Sequence, residues 1–310
     1  MPIIFDKIKT QREIMDRLIR GISENKQVRY FAVDATDVVK KAAEIHKLSV
    51  TNAVLMGRML IATLLMSADL KSEKNVITLK LDGDGPNGKI IVTGRKNGHV
   101  KSYMSNPKNE IPLNSKTKTI DIKAAIGDGT LTVIKDLGLK NPYVGQVELK
   151  YKTVAEDLTY YFVKSEQIPS SVGLGVLIDT DGSVKKAGGF LIQLLPNTDE
   201  EVIAKIEENL AKFPNFTDML DIGYTIDKLT ENFILKDLNP QLKLSSEVYY
   251  KCDCSKKKFL NGIKLLPKNE LEKAIEDSET LKAECHFCNA EYEYDKNDVQ
   301  KILSEMKHEI

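Results

Sequence analysis

Apolar positions change period several times along this chain, and each change marks a different kind of element. Near the start, Ile8, Ile14, Leu18 and Ile19 sit among charged residues and suggest an amphipathic piece. Phe31-Ala32-Val33-Asp34 follows as a short strand. From Asp37 the apolar positions Val38, Val39, Ala42, Ala43 and Ile45 recur at helical spacing. Ala53 to Met66 is then almost continuously apolar, broken by Gly57 and Arg58 and bounded by Thr51-Asn52 and Ser67. That run is too short and too charged for a membrane span, and it predicts a helix buried on most sides. Arg58 within it reads as a paired structural charge.

From Asn75 the period becomes two. Val76-Ile77-Thr78-Leu79-Lys80-Leu81 and Lys89-Ile90-Ile91-Val92-Thr93-Gly94 predict a strand and its return. Between them, Asp82-Gly83-Asp84-Gly85-Pro86-Asn87-Gly88 predicts a tight turn with several positive-φ positions. A phosphate loop would need a G-K-[ST] ending and a following helix, and neither is present. Thr130 to Ile134 and Gln146 to Lys150 continue the hairpin pattern. Leu158 to Val163 reads as helix or strand, and Gly173 to Ile178 as strand. Helices before a run of strands predict an α+β domain with a β-rich body and packed helices.

Past residue 196 the segments shorten. Thr198-Asp199-Glu200-Glu201 predicts a capping box opening a helix with Val202, Ile203, Ile206 and Leu210 on one face, ended by Pro214. Thr217 to Leu220 and Thr225 to Phe233 predict two more short helices. Charged and weakly apolar, this segment needs a docking surface, because short helices alone are marginal in water. It is either a metastable linker or an ordinary helical connector. From 247 on, the pattern predicts a loop over Lys256-Lys257-Lys258, a helix from Leu271 to Ile275, a strand including Tyr292 and Tyr294, and a closing helix from Val299 to Met306.

Composition narrows the function. Lys and Arg number 45, as do Asp and Glu, so no global field favours nucleic acid or an anionic membrane. Tryptophan is absent, which weakens any base-stacking surface. His46 and His99 have no acid–nucleophile pattern nearby, so no hydrolytic triad is indicated and the chain is not expected to be an enzyme. The first residues lack the basic region and apolar run of a signal peptide, which points to the cytoplasm, where thiols stay reduced.

All four cysteines fall within 37 residues: Cys252-Asp253-Cys254, then 30 residues, then Cys285-His286-Phe287-Cys288. Two tight pairs with none spare make a complete tetrahedral set for one Zn2+. The site is either a structural staple for a tail short of apolar residues or, since thiolates also oxidise, a sensor. The C-x-C spacing makes a tighter chelate than the C-x-x-C of ribbon knuckles.

The chain resembles the redox-regulated heat-shock chaperonins, the thirty-three-kilodalton cytosolic holdases of bacteria. The resemblance lies in Cys252-Asp253-Cys254-Ser255 with Cys285-His286-Phe287-Cys288 and Tyr292; in Glu156-Asp157-Leu158-Thr159-Tyr160-Tyr161 followed by Ser165-Glu166-Gln167-Ile168-Pro169; in Gly57-Arg58-Met59-Leu60 with Gly83-Asp84-Gly85-Pro86; and in Ala187 to Pro196. It implies a core, client-binding domain over 1–196, a helical metastable linker over 197–246 and a zinc-binding redox-switch domain over 247–310. It also implies zinc on Cys252, Cys254, Cys285 and Cys288 in the reduced, inactive form. Oxidation would give disulfides Cys252–Cys254 and Cys285–Cys288, zinc release, linker unfolding, homodimerisation and ATP-independent capture of unfolding clients. The run Lys256-Lys257-Lys258 departs from the mixed charge of the family and reads as solvated surface, and His286 is a possible substitute metal donor. The competing reading is a structural zinc ribbon that binds nucleic acid or another partner, for which the lysine run is the only local support.

Overall fold

The computed structural model describes residues 16–112, 114, 119–277 and 280–308. Ile8 and Ile14 lie outside the described residues. Leu18 and Ile19 belong to strand β1 (Arg17–Ser23), which forms a hairpin with β2 (Val28–Asp34). Among the described residues these strands come first, ahead of helices α1 (Thr36–His46) and α2 (Val50–Ser67). Adjacent apolar residues in β1 disguised its period because the sheet is buried on both faces.

Helix α2 is the centre of the molecule. Every residue except Val50 and Arg58 is buried, and by length and hydropathy alone it could cross a membrane, yet 89% of it lies inside the protein. Gly57 lets α1 and the sheet approach: a Cβ there would stand 2.8 Å from a Val39 methyl and 2.7 Å from one of Val176. The expected partner of Arg58 does not appear. Among the described residues nothing pairs with its Nε, which is buried, and burial lowers its pKa.

On one side of α2 lies a six-stranded sheet whose first five strands in the chain are β3 (Val76–Gly83), β4 (Lys89–Arg95), β5 (His99–Met104), β6 (Gly129–Asp136) and β7 (Tyr143–Glu148), with α3 (Ile122–Ile126) in the β5–β6 connection. The β3–β4 turn forms where the sequence places it. Of its glycines only Gly88 has positive φ (+64°); Gly83 and Gly85 are needed because Ile126 and its carbonyl press against them.

The chain then runs through α4 (Val154–Tyr161), which settles Leu158 to Val163 as helix, and a π-turn over Phe162–Glu166. Strands β8 (Ser170–Ile178) and β9 (Val184–Leu194) complete most of a second sheet on the other side of α2. Its order is β10-β1-β2-β9-β8. Leu18, Phe31, Val33 and Leu191 face α2. The alternate residues Ile19, Val28, Tyr30, Ala32, Phe190 and Ile192 face away.

That second face is covered by α5 (Glu200–Ala211), α6 (Phe216–Asp221), α7 (Ile226–Leu229) and a π-turn over Thr230–Ile234. Val202, Ile206, Phe216, Leu220, Leu229 and Ile234 supply its apolar contacts. No capping box forms. Asp199, not Thr198, takes the N-cap position of α5 but makes no side-chain capping hydrogen bond; the Thr198 hydroxyl donates to Leu195 O (2.7 Å) and Gln27 O (2.9 Å), and Gln27 Nε2 donates to the Asp199 carboxylate (2.6 Å). Tertiary partners on the β1–β2 turn have taken both side chains. The segment ends in a strand, β10 (Pro240–Glu247), paired with β1.

The remaining elements are β11 (Tyr249–Tyr250), α8 (Lys256–Ile263), α9 (Lys268–Glu276), β12 (Leu281–Glu284), β13 (Glu291–Tyr294) and α10 (Lys296–His308). The lysine run expected as loop is the first turn of α8, capped by Ser255, whose Oγ accepts the Lys258 amide at 3.3 Å. The buried cluster among the described residues of this tail comprises Ile263, Leu271, Tyr294, Val299, Ile302 and Leu303, a core too small to hold it together alone.

Candidate metal centre

Two backbone devices bring the thiols together. Strand β11 is the sixth strand of the six-stranded sheet, added in parallel beside β5 with Tyr249 opposite His99 and Tyr250 opposite Val100, and it delivers Cys252 and Cys254 from that edge. Cys285 and Cys288 sit in the turn from β12 to β13. There the Cys285 amide donates to Ala290 O (2.9 Å), and the amides of Cys288 (3.1 Å) and Asn289 (2.7 Å) donate to Cys285 O, with Asn289 left-handed at φ +55°.

The four sulfurs all lie within 4.8 Å of one another. Cys252 and Cys285 approach to 3.7 Å, and Cys254 and Cys288 to 3.3 Å. All four are free, and these separations are far beyond a bonded S–S distance of about 2.05 Å. Tetrahedral Zn–S bonds of about 2.3 Å would put sulfurs about 3.8 Å apart, close to what the cluster presents. Charge gives the same result. Burial pushes the Cys252 thiol up to about 11 and raises Cys288 as well. Burial also opposes ionisation of Cys254, but hydrogen bonds from the Tyr292 hydroxyl (3.1 Å) and the other thiols outweigh it and lower its pKa. A cation among the four sulfurs offsets that burial cost and favours their ionisation together. The donor set and its spacing therefore fit zinc.

The cluster is fastened to the sheet and α1 by contacts the sequence did not reveal. Asp253 points away from the sulfurs, to Lys101 (2.5 Å), Lys258 (2.7 Å) and Arg95 (3.8 Å), and the two lysines hold its carboxyl well below the usual range. The Tyr250 hydroxyl donates to Phe287 O (2.7 Å) and lies 2.8 Å from His46 Nε2. Burial lowers the pKa of His46. Asn289 Nδ2 donates to Ile45 O (2.8 Å), and Lys101 stands 5.0 Å from the centre of the Phe287 ring. His286, weighed as a substitute donor, packs its ring 5.7 Å from that of Tyr103 and lies outside the sulfur cluster. Lys256 pairs with Asp298 and Lys258 with Asp253, so the lysine run is exposed but engaged. His46 and Tyr250 are 204 residues apart, and only the isolated Tyr249-Tyr250 pair ahead of the cysteines hinted at such a contact.

Comparison with known proteins assigns this architecture. The sequence profile of the family described as Hsp33 protein matches residues 16–295. The chain belongs to the Hsp33 family. Among relatives, the 33 kDa chaperonin of Clostridium perfringens is 43% identical over 296 residues, covering 95% of this chain and 93% of that protein. The 33 kDa chaperonin of Agathobacter rectalis is 41% identical, covering 93% and 99%. The crystal structure of the 33 kDa chaperonin (heat shock protein 33 homolog) from Thermotoga maritima superposes with a TM-score of 0.85 at 34% identity, covering 95% of this chain and 99% of that one. Membership of the Hsp33 family makes the chain a chaperone of the heat-shock class, with the α+β fold and the clustered cysteines read from the sequence.

Proposed function

We propose that the protein is a redox-regulated, ATP-independent holdase of the cytoplasm, without enzymatic activity. The carrying observation is the convergence of four free sulfurs within 4.8 Å in a tail with only a small core of its own. Cys252, Cys254, Cys285 and Cys288 hold one zinc ion in the reduced protein. Zinc, when bound, supplies four bonds to sulfur and with them much of the folding free energy of residues 247–310. Residues 1–196 form the core, client-binding domain and 197–246 the linker, metastable because its short helices depend on the sheet beneath them.

Hydrogen peroxide oxidises the thiols in pairs. Each pair loses two electrons as one S–S bond forms, and one peroxide O–O bond is cleaved to two molecules of water. The disulfides are Cys252–Cys254 and Cys285–Cys288. Although the closest sulfurs in the folded centre lie across the pairs, an unfolding tail closes a loop of one or two intervening residues far more readily than one of about thirty. Without its zinc the tail loses the fold that presents Asp253, Phe287 and Asn289 to α1 and β5. The linker then loosens, and the apolar sheet face lined by Ile19, Tyr30, Ala32, Phe190 and Ile192 is exposed to clients and to a second copy of the chain. Balanced net charge supports neither nucleic acid nor membrane as a partner.

Zinc release and suppression of a model client's aggregation, followed in one sample before and after peroxide with mild heat, test this reading. Zinc release together with gained anti-aggregation activity is expected. Release without gain, or retained zinc, returns the cysteines to a purely structural role.

A further inference from the structure

The four sulfurs are not equivalently surrounded. Cys252 faces Cys285 at 3.7 Å, and Cys254 faces Cys288 at 3.3 Å. Cys254 is in addition met by the Tyr292 hydroxyl, at 3.1 Å. Tyr292 is also held in place. Its backbone pairs with Ala283 across β12 and β13, and its ring lies 5.3 Å from that of Phe259, on the helix that starts directly after Cys254-Ser255.

We infer that Tyr292 is a positioning residue of the thiol centre, whose hydroxyl donates to Cys254 Sγ and slows the reaction of that sulfur with hydroperoxide. The inference rests on the zinc-thiolate reading proposed above. In the reaction a thiolate lone pair forms an S–O bond to one peroxide oxygen, the O–O bond breaks, and the other oxygen leaves as hydroxide. The sulfenic acid then reacts with a second thiolate, forming S–S and expelling a second hydroxide. A hydrogen bond to Cys254 stabilises the electron pair that must attack, so the bond is weakened as the transition state forms and the barrier rises. Tyr292 thus holds Cys254 unreactive at low oxidant without touching the metal.

The test is Tyr292→Phe in the full chain, which keeps the ring against Phe259 and removes only the donor. With excess hydrogen peroxide, zinc release from the variant, read by a chromogenic chelator, is expected to be about tenfold faster than from wild type, a difference of about 1.4 kcal/mol. Sulfenic-acid trapping should place the acceleration at Cys254. With cobalt(II) substituted for zinc, the sulfur-to-metal charge-transfer band should move to lower energy, because the freed sulfur is a stronger donor. An unchanged release rate and band in a variant that binds metal stoichiometrically would overturn the inference while leaving the zinc reading intact. Failure of the variant to bind metal would also overturn it, making Tyr292 a structural requirement. A wild-type protein that holds no zinc would defeat the underlying reading, and the inference with it.

Discussion

The two faces of the five-stranded sheet carry similar apolar residues but are covered in different ways. One face receives α2, an 18-residue helix packed between two sheets and buried along almost its whole length. The other receives helices of 12, 6 and 4 residues with a π-turn, whose outer surfaces are charged and whose Ile222 is 70% exposed. The first cover is shared by both sheets and cannot leave without global unfolding. The second touches only one sheet, and its C-terminal end continues through β10 into the cysteine tail. Similar apolar area can thus be hidden permanently or provisionally, depending on what else the covering element is attached to.

The largest expected effect comes from removing that attachment. Cys285→Ser leaves three thiols and a buried hydroxyl, and should abolish tight zinc binding, worth roughly 10 kcal/mol or more in small zinc domains. Residues 247–308 should melt and limited proteolysis should cut between about 200 and 245, while α2 and the six-stranded sheet remain protected. Stoichiometric zinc in the variant at neutral pH would remove Cys285 from the ligand set, and an unchanged cleavage map in a zinc-free variant would uncouple the tail from the cover.

Core truncations on either side of the sheet sharpen the contrast. Leu60→Ala in α2 and Phe216→Ala in the cover each remove a buried side chain, at a cost of about 2–5 kcal/mol. Leu60→Ala should lower the melting temperature of the whole core. Phe216→Ala breaks an aromatic cluster with Phe190 and Phe213 and should act locally. Amides of α5 to α7 should exchange faster and an apolar dye should bind the reduced protein, with little change in α2 exchange. Equal effects of the two variants on α2 protection would mean that both faces open as one cooperative unit.

The durable side was legible in the sequence and the provisional side only partly so, for physical reasons. Helix α2, the β3–β4 hairpin and the cysteine pairs rest on strong local signals: an unbroken apolar run, a period of two around a glycine turn, and ligand spacing. Strand β1 was hidden because two-sided burial erases alternation. Strand β10 was hidden because it is an edge strand with most of its residues exposed. The capping box failed because Gln27, remote in sequence, draws the Thr198 hydroxyl to its carbonyl and engages the Asp199 carboxylate with its side chain. At the metal centre the ligands were legible, whereas the docking of Asp253, Tyr250 and Asn289 on α1, β4 and β5 depends on partners more than 140 residues away, which no local pattern encodes.

The smallest expected effect probes the seam where the provisional cover meets the sheet. Arg17 on β1 pairs with Asp227 on α7, both half-exposed, so solvent screens the pair and Asp227→Asn should cost only about 0.5 kcal/mol. Because the bond spans cover and sheet, that small loss should fall on opening of the cover rather than on global unfolding. Hydrogen exchange in α7 should quicken by about twofold with an unchanged melting temperature, and 1 M salt should erase the difference between variant and wild type. A Tm shift that persists in high salt would show that Asp227 supports the fold through something other than its charge.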